Sequence, residues 1–146
     1  MLSLIPGSKS RPANVYLPHW THGKPAALDV AVISPLQKLT LQNSATIQGY
    51  ALSLGEDWKR SSHAQDCFDV GVPFIPLLVE TIGSWSSDVA QTISSLGRCL
   101  GHRFGSDPQD TISHLFQHLS ISLWCGNASM WVARSPILAP FIDGFV

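Results

Sequence analysis

Ala26-Ala27-Leu28-Asp29-Val30-Ala31-Val32-Ile33 is an apolar run carrying one charge, closed by Gly23 and Pro25 on one side and Ser34-Pro35 on the other. Its length and β-branched content make it a strand, and its near-continuous apolarity predicts burial on both faces. An ionised carboxylate in such a strand costs several kcal/mol unless a metal, a cation or hydrogen-bond donors meet it. Asp29 therefore has a partner. A second apolar run, Phe74 to Glu80, ends on a carboxylate of its own. Two core strands that each deliver an acid are the feature from which a function can be argued.

The 146 residues suffice for one domain with a real core. Charged residues make up 13% of the chain, about half the roughly 25% usual in soluble domains. The surface is thus expected to be small for the chain or partly covered by a partner or by missing sequence, and a large exposed apolar area would favour self-association. Residues 1–60 hold six Lys/Arg against three acids, and residues 61–146 hold three against seven. The net charge of −1 makes no global case for nucleic-acid binding, but the half containing Asp29 is the basic one and could face phosphate, as on DNA. Cys67, Cys99 and Cys125 are odd in number and widely spaced. They read as reduced, structural thiols of an intracellular protein, nuclear or cytoplasmic. No stretch approaches the about 18 uninterrupted apolar residues of a membrane span, and no membrane association is expected.

Residues 1–12 form a Pro/Gly-punctuated lead, 13–134 a single domain and 135–146 an apolar tail. Asn14 to Pro18 predicts a first strand in a hairpin with the Asp29 strand. Ile47, Ala51, Leu54 and Trp58 recur at spacings of four, three and four, predicting a helix to about Asp69 capped by Gly71. The Phe74–Glu80 strand comes next. Ser86 or Ser87 caps a helix with Val89, Ile93, Leu96 and Leu100 on one face. Asp107 or Pro108 starts a last helix with Leu115, Leu119, Leu123 and Met130 inward. The order β-β-α-β-α-α predicts an α/β fold with a mixed sheet flanked by helices.

Asp29 and Glu80 could converge on Mg²⁺ or Mn²⁺, which take hard oxygen ligands. The bland alternatives are a structural ion pair for Asp29 and a surface position for Glu80. Glu56, Lys59, His63 and Asp66 share one helical face. That face is either solvated, or it carries Lys59 over the sheet to stabilise charge on a phosphate. His114 and His118 stand at the zinc spacing i, i+4, but Leu-Phe-Gln lies between them and no third ligand is evident. His19 and His22 flank Trp20 in a turn. No GxSxG, CxxC or Gly-rich phosphate loop occurs. Trp58, Trp85, Trp124 and Trp131 read as packing residues, the last two sharing a face that could meet a partner.

The stretches Arg11–Pro18, Pro25–Leu36, Gln48–Ala51 and Phe74–Gly83 resemble a segment common in retroelement-derived, reverse-transcriptase-associated proteins of animals. That segment is similar to a restriction-endonuclease-like nuclease core of the PD-(D/E)XK type. The resemblance spans roughly Arg11 to Arg134 and implies a Mg²⁺-dependent DNA endonuclease. It places Asn14 at the first metal-binding Asp and Asp29 at the Asp of the Asp-x-Lys element. Ala31 stands where the lysine is expected, and Lys59 on the following helix is the substitute the resemblance allows. Gln48 becomes a supporting polar residue on that helix, and Glu80 lies on the next strand outside the usual triad. Two departures, the neutral Asn14 and a missing acid-bearing first helix, imply a degenerate, truncated copy with weak or no activity. The alternative is a non-catalytic interaction or scaffold domain in which Asp29 is a structural acid.

Overall fold

The computed structural model describes residues 13–135. The lead and the tail beyond Ser135 lie outside the described residues. The elements are β1 (Val15–Leu17), β2 (Ala26–Ile33), α1 (Leu41–Ser44), α2 (Tyr50–Asp69), β3 (Phe74–Glu80), α3 (Ser87–Phe104) and α4 (Pro108–Arg134). The fold is α/β. The chain divides into two compact units, with the boundary between Thr92 and Ile93.

The first unit is built on a three-stranded sheet in the order β1-β2-β3. β1 and β2 are antiparallel and form the expected hairpin, with Val15 opposite Leu28. His22 and Gly23 both take positive φ, and the Lys24 N–H donates to the Thr21 carbonyl at 3.0 Å. Two consecutive left-handed residues make a type I′ turn, whose twist matches that of the strands it joins. His22 is thus a turn residue. β2 and β3 are parallel, with Asp29 level with Pro76 and Ile33 level with Glu80. Parallel neighbours require a crossover, and α2 supplies it.

Gly71 ends α2 as its spacing predicts. It sits at φ 71°, the Val72 N–H donates to the Cys67 carbonyl and the Gly71 N–H to the Phe68 carbonyl. This is the Schellman pattern, in which a residue beyond the glycine packs back on the last turn. Val72 and Cys67 pack accordingly, joined by Ala27 in one buried cluster. At the other end of β3 the chain folds back on the strand's free edge. Glu80 N–H donates to the Ser84 carbonyl, and Ser86 N–H to the Leu78 carbonyl. Ser86 Oγ also accepts from the Val89 N–H, capping α3 as expected. In the second unit Asp107 caps α4, its Oδ1 accepting from Gln109 and Asp110 N–H groups, with Pro108 at the first helical position. Gly97 faces Ile112 so closely that a Cβ there would lie 2.9 Å from the Ile112 Cα.

Burial departs from the sequence expectation in three places. β2 is buried on both faces only from Ala26 to Asp29, whereas Val30 and Val32 are about half exposed. The predicted inward stripe faces out: Ile47 lies before α2 and is exposed, and within α2 Leu54 and Trp58 are exposed, Trp58 by 61%, with only Ala51 of the stripe buried. In α4 no residue is fully buried, and Leu119 and Met130, expected inward, are exposed, while Trp124 and Trp131 are exposed in keeping with a face open to a partner. Apolar periodicity locates a helix, but it does not say which stripe meets the core when two compete.

Of the three thiols only Cys67 is structural; Cys99 and Cys125 are exposed. Burial, then the neighbouring Asp66 and Asp29 carboxylates, push the Cys67 thiol above its ordinary 9.0. A raised folded-state value means that stability is full below pH 9 and is lost as pH climbs through the raised value. Titration of the native protein with a disulfide reagent near pH 8 is expected to modify two thiols rapidly. The third should react only at the rate of unfolding.

Candidate active site on the central strand

α2 lies across one face of the sheet. A Cβ at Gly55 would meet Leu78 Cδ2 at 2.5 Å and Ile33 Cδ1 at 3.4 Å. Glycine is needed there because the helix backbone rests on these two side chains. Side chains alternate along a strand, so Asp29, Ala31 and Ile33 share the covered face with Pro76, Leu78 and Glu80. The helix turns its polar stripe toward this face. Glu56, Lys59 and His63 are each partly buried.

Lys59 Nζ donates to Asp29 Oδ2 at 2.5 Å, with side-chain exposures of 16% and 8%. The acid in the apolar strand therefore has its cation, delivered from the following helix thirty residues on. Asp29 Oδ1 is left outside the ion pair. Asn14 is exposed at the start of β1, one step beyond the Val15–Leu28 pair, and its Oδ1 accepts from the Val30 N–H at 2.5 Å. An amide oxygen has two lone pairs, so one remains. Gln48 lies in the exposed turn before α2 and not on the helix. Glu80 is 3% exposed, so it is no surface residue. Four residues separate the levels of Asp29 and Glu80 along the sheet. At about 3.3 Å per residue that is ~13 Å, too far for one cation to bridge both.

Two atoms on the inward stripe are buried without a hydrogen-bond partner, Glu56 Oε1 and His63 Nδ1. His63 is instead wedged between rings, with centroids 6.2 Å from Trp58 and 6.0 Å from Phe74. Sequence spacing places both residues on the Lys59 face, but nothing in it shows that this face is the buried one. Among the described residues no three His, Cys, Asp or Glu side chains gather to hold a metal ion, His114 and His118 included.

No family model, curated protein or solved structure matches the chain. The site is read from its own geometry. No helix of the described residues is long and apolar enough to cross a membrane. An apolar cleft of about 630 Å³ opens beside the end of α2, lined by Ala64, Phe68, Val72 and Phe74 among others. It carries no ionisable group and lies apart from the chemistry. The second Asp29 carboxylate oxygen and the Asn14 amide oxygen are hard donors, the type that could contribute to holding a divalent cation.

Proposed function

We propose that the first unit is a phosphodiesterase-type core of restriction-endonuclease-like ancestry, derived from a retroelement polyprotein, that cleaves DNA weakly or not at all. The Lys59–Asp29 contact carries this reading. A core acid on a central strand, met by a lysine from α2, sets a fixed positive charge beside the oxygen that would coordinate a cation. Asp29 is assigned to Mg²⁺ or Mn²⁺ with Asn14 beside it. When bound, such an ion polarises the phosphodiester and activates water. Asn14 brings no formal charge and already accepts the Val30 N–H, so the ion is held weakly. Lys59 stabilises the charge developing on the phosphate. Gln48, in the preceding turn, is left as an outer polar support. Glu80 stands outside this group.

A second reading, a non-catalytic interaction domain, draws support from Leu54, Trp58 and Phe68, which α2 exposes. Fluorescence anisotropy with a short DNA duplex at low salt, without divalent metal, separates the two. Asp29→Asn removes a charge that repels phosphate and frees that of Lys59. The variant is expected to bind about fivefold more tightly than wild type, equivalent to about 1 kcal/mol of relieved repulsion. Absent or equal binding in both forms contradicts the nucleic-acid reading and favours the interaction domain.

A further inference from the structure

α4 carries an exposed stripe whose spacing is the same read in either direction. Ile121, Trp124, Ala128 and Trp131 follow one another at three, four and three residues and share one side of the helix. Ile121 is 62% exposed, Trp124 58% and Trp131 78%, and Ala128 between the tryptophans is exposed as well. The side that meets α3 is a different one. Gly97 lies against Ile112, a position turned well away from the stripe at 3.6 residues per turn. From Thr111 to Ala133 the helix has no Asp, Glu, Lys or Arg. A helix face that stays in water normally carries charge, and this one has none.

We propose that two copies of this chain associate through this face, their α4 helices antiparallel about a two-fold axis level with Gly126. Reversing a three-four-three spacing sets Trp124 over the partner's Ala128 and Ile121 beside the partner's Trp131, in both directions at once. Each tryptophan then meets a smaller side chain, as a self-complementary two-fold contact requires. The antiparallel arrangement also opposes the two helix dipoles. The missing charge selects the occupant. A charged partner surface would lose its hydration against α4 without gaining a counter-ion, whereas a second copy brings a matching neutral face. A lipid surface fits less well, because an interfacial helix carries Lys and Arg on its polar side. The area is of the right order. At roughly 250 Å² for a whole tryptophan, the two tryptophans and Ile121 offer about 450 Å² per copy, or ~900 Å² for a pair. The exposed Gln117, Cys125 and Ala128 beside them bring this to the about 1,200 Å² at which stable interfaces begin. The contact depends neither on Asp29 nor on the nuclease reading.

Sedimentation equilibrium of the full chain is expected to show a monomer–dimer equilibrium. Trp124→Glu and Trp131→Glu should each weaken dimerisation at least about tenfold, since each buries an unpaired charge in the contact. Both side chains are exposed in one copy, so circular dichroism of the variants should match that of wild type. Ala128→Trp alone should weaken the dimer to a similar degree. Trp124→Ala/Ala128→Trp exchanges the two side chains across the axis and should restore association to within about threefold of wild type. In a Cys99→Ser background Cys125 is the exposed thiol that remains. It flanks the stripe close to the level of the axis, and an antiparallel pair sets both copies of it on the same rim. A short bismaleimide should therefore join two copies through Cys125, and adding either glutamate substitution should abolish the product. A wild type that stays monomeric at about 1 mM overturns the proposal, whether residues 136–146 of the same chain cover the face or lipid vesicles capture it. A dimer unchanged by both glutamate variants overturns it as well and moves the contact elsewhere, as to the exposed Leu54 and Trp58 of α2.

Discussion

Replacing Lys59 by Met is expected to lower the unfolding free energy by about 3 to 5 kcal/mol, the cost of leaving a buried charge without its partner. Asp29 sits at the strand centre with its side chain 8% exposed, and Lys59 is its only cation among the described residues. The methionine keeps most of the stem that lies along the sheet, so little of the loss comes from packing. Against a total stability of about 5 to 15 kcal/mol for a domain, this is a large fraction. The double variant Asp29→Leu/Lys59→Met is expected to recover most of it, because apolar residues of similar volume replace a buried ion pair at little cost. Urea titration of the single and double variants measures both. A loss below about 1 kcal/mol for Lys59→Met contradicts the buried pair and describes a solvated one.

That result bears on how far the fold and site were legible. Devices that act within a few residues were readable: the Asp107 cap, the Gly71 terminus and the hairpin between β1 and β2 all follow from backbone chemistry at named positions. Which face of α2 meets the sheet was not. Leu54 and Trp58 belong to the better apolar stripe, yet the stripe of Glu56, Lys59 and His63 is the one turned inward. The reason lies elsewhere in the chain. Asp29 on β2 requires a cation, and Gly55 is the position at which the helix can approach Leu78 and Ile33. A constraint set by a residue thirty positions away leaves no periodic trace in the helix. β2 misled in the same way, since Val30 and Val32 look like core residues and lie exposed. Glu56 was visible only as a member of a polar face, because an orphaned oxygen is a property of packing.

The larger functional effect concerns Asn14. On the proposed nuclease reading, wild type is expected to show little or no cleavage of DNA, because an ion at Asp29 would face a neutral amide already engaged with the Val30 N–H. Asn14→Asp restores the formal charge and adds a second carboxylate, the complement Mg²⁺ and Mn²⁺ use together with phosphate. On that reading a bound ion would supply water activation and leaving-group stabilisation, and Lys59, paired with Asp29, would support the phosphate. The expected gain in cleavage is at least about tenfold, the effect of about 1.4 kcal/mol on the barrier. It depends entirely on Asp29.

Nicking of supercoiled plasmid in Mn²⁺ tests this most directly, comparing wild type, Asn14→Asp and Asn14→Asp/Asp29→Ala. The account predicts slow or undetectable nicking by wild type, a clear gain for Asn14→Asp and its loss in the double variant. Robust cleavage by wild type that persists in Asp29→Ala would contradict both the weakened metal position and the assignment of the site to Asp29.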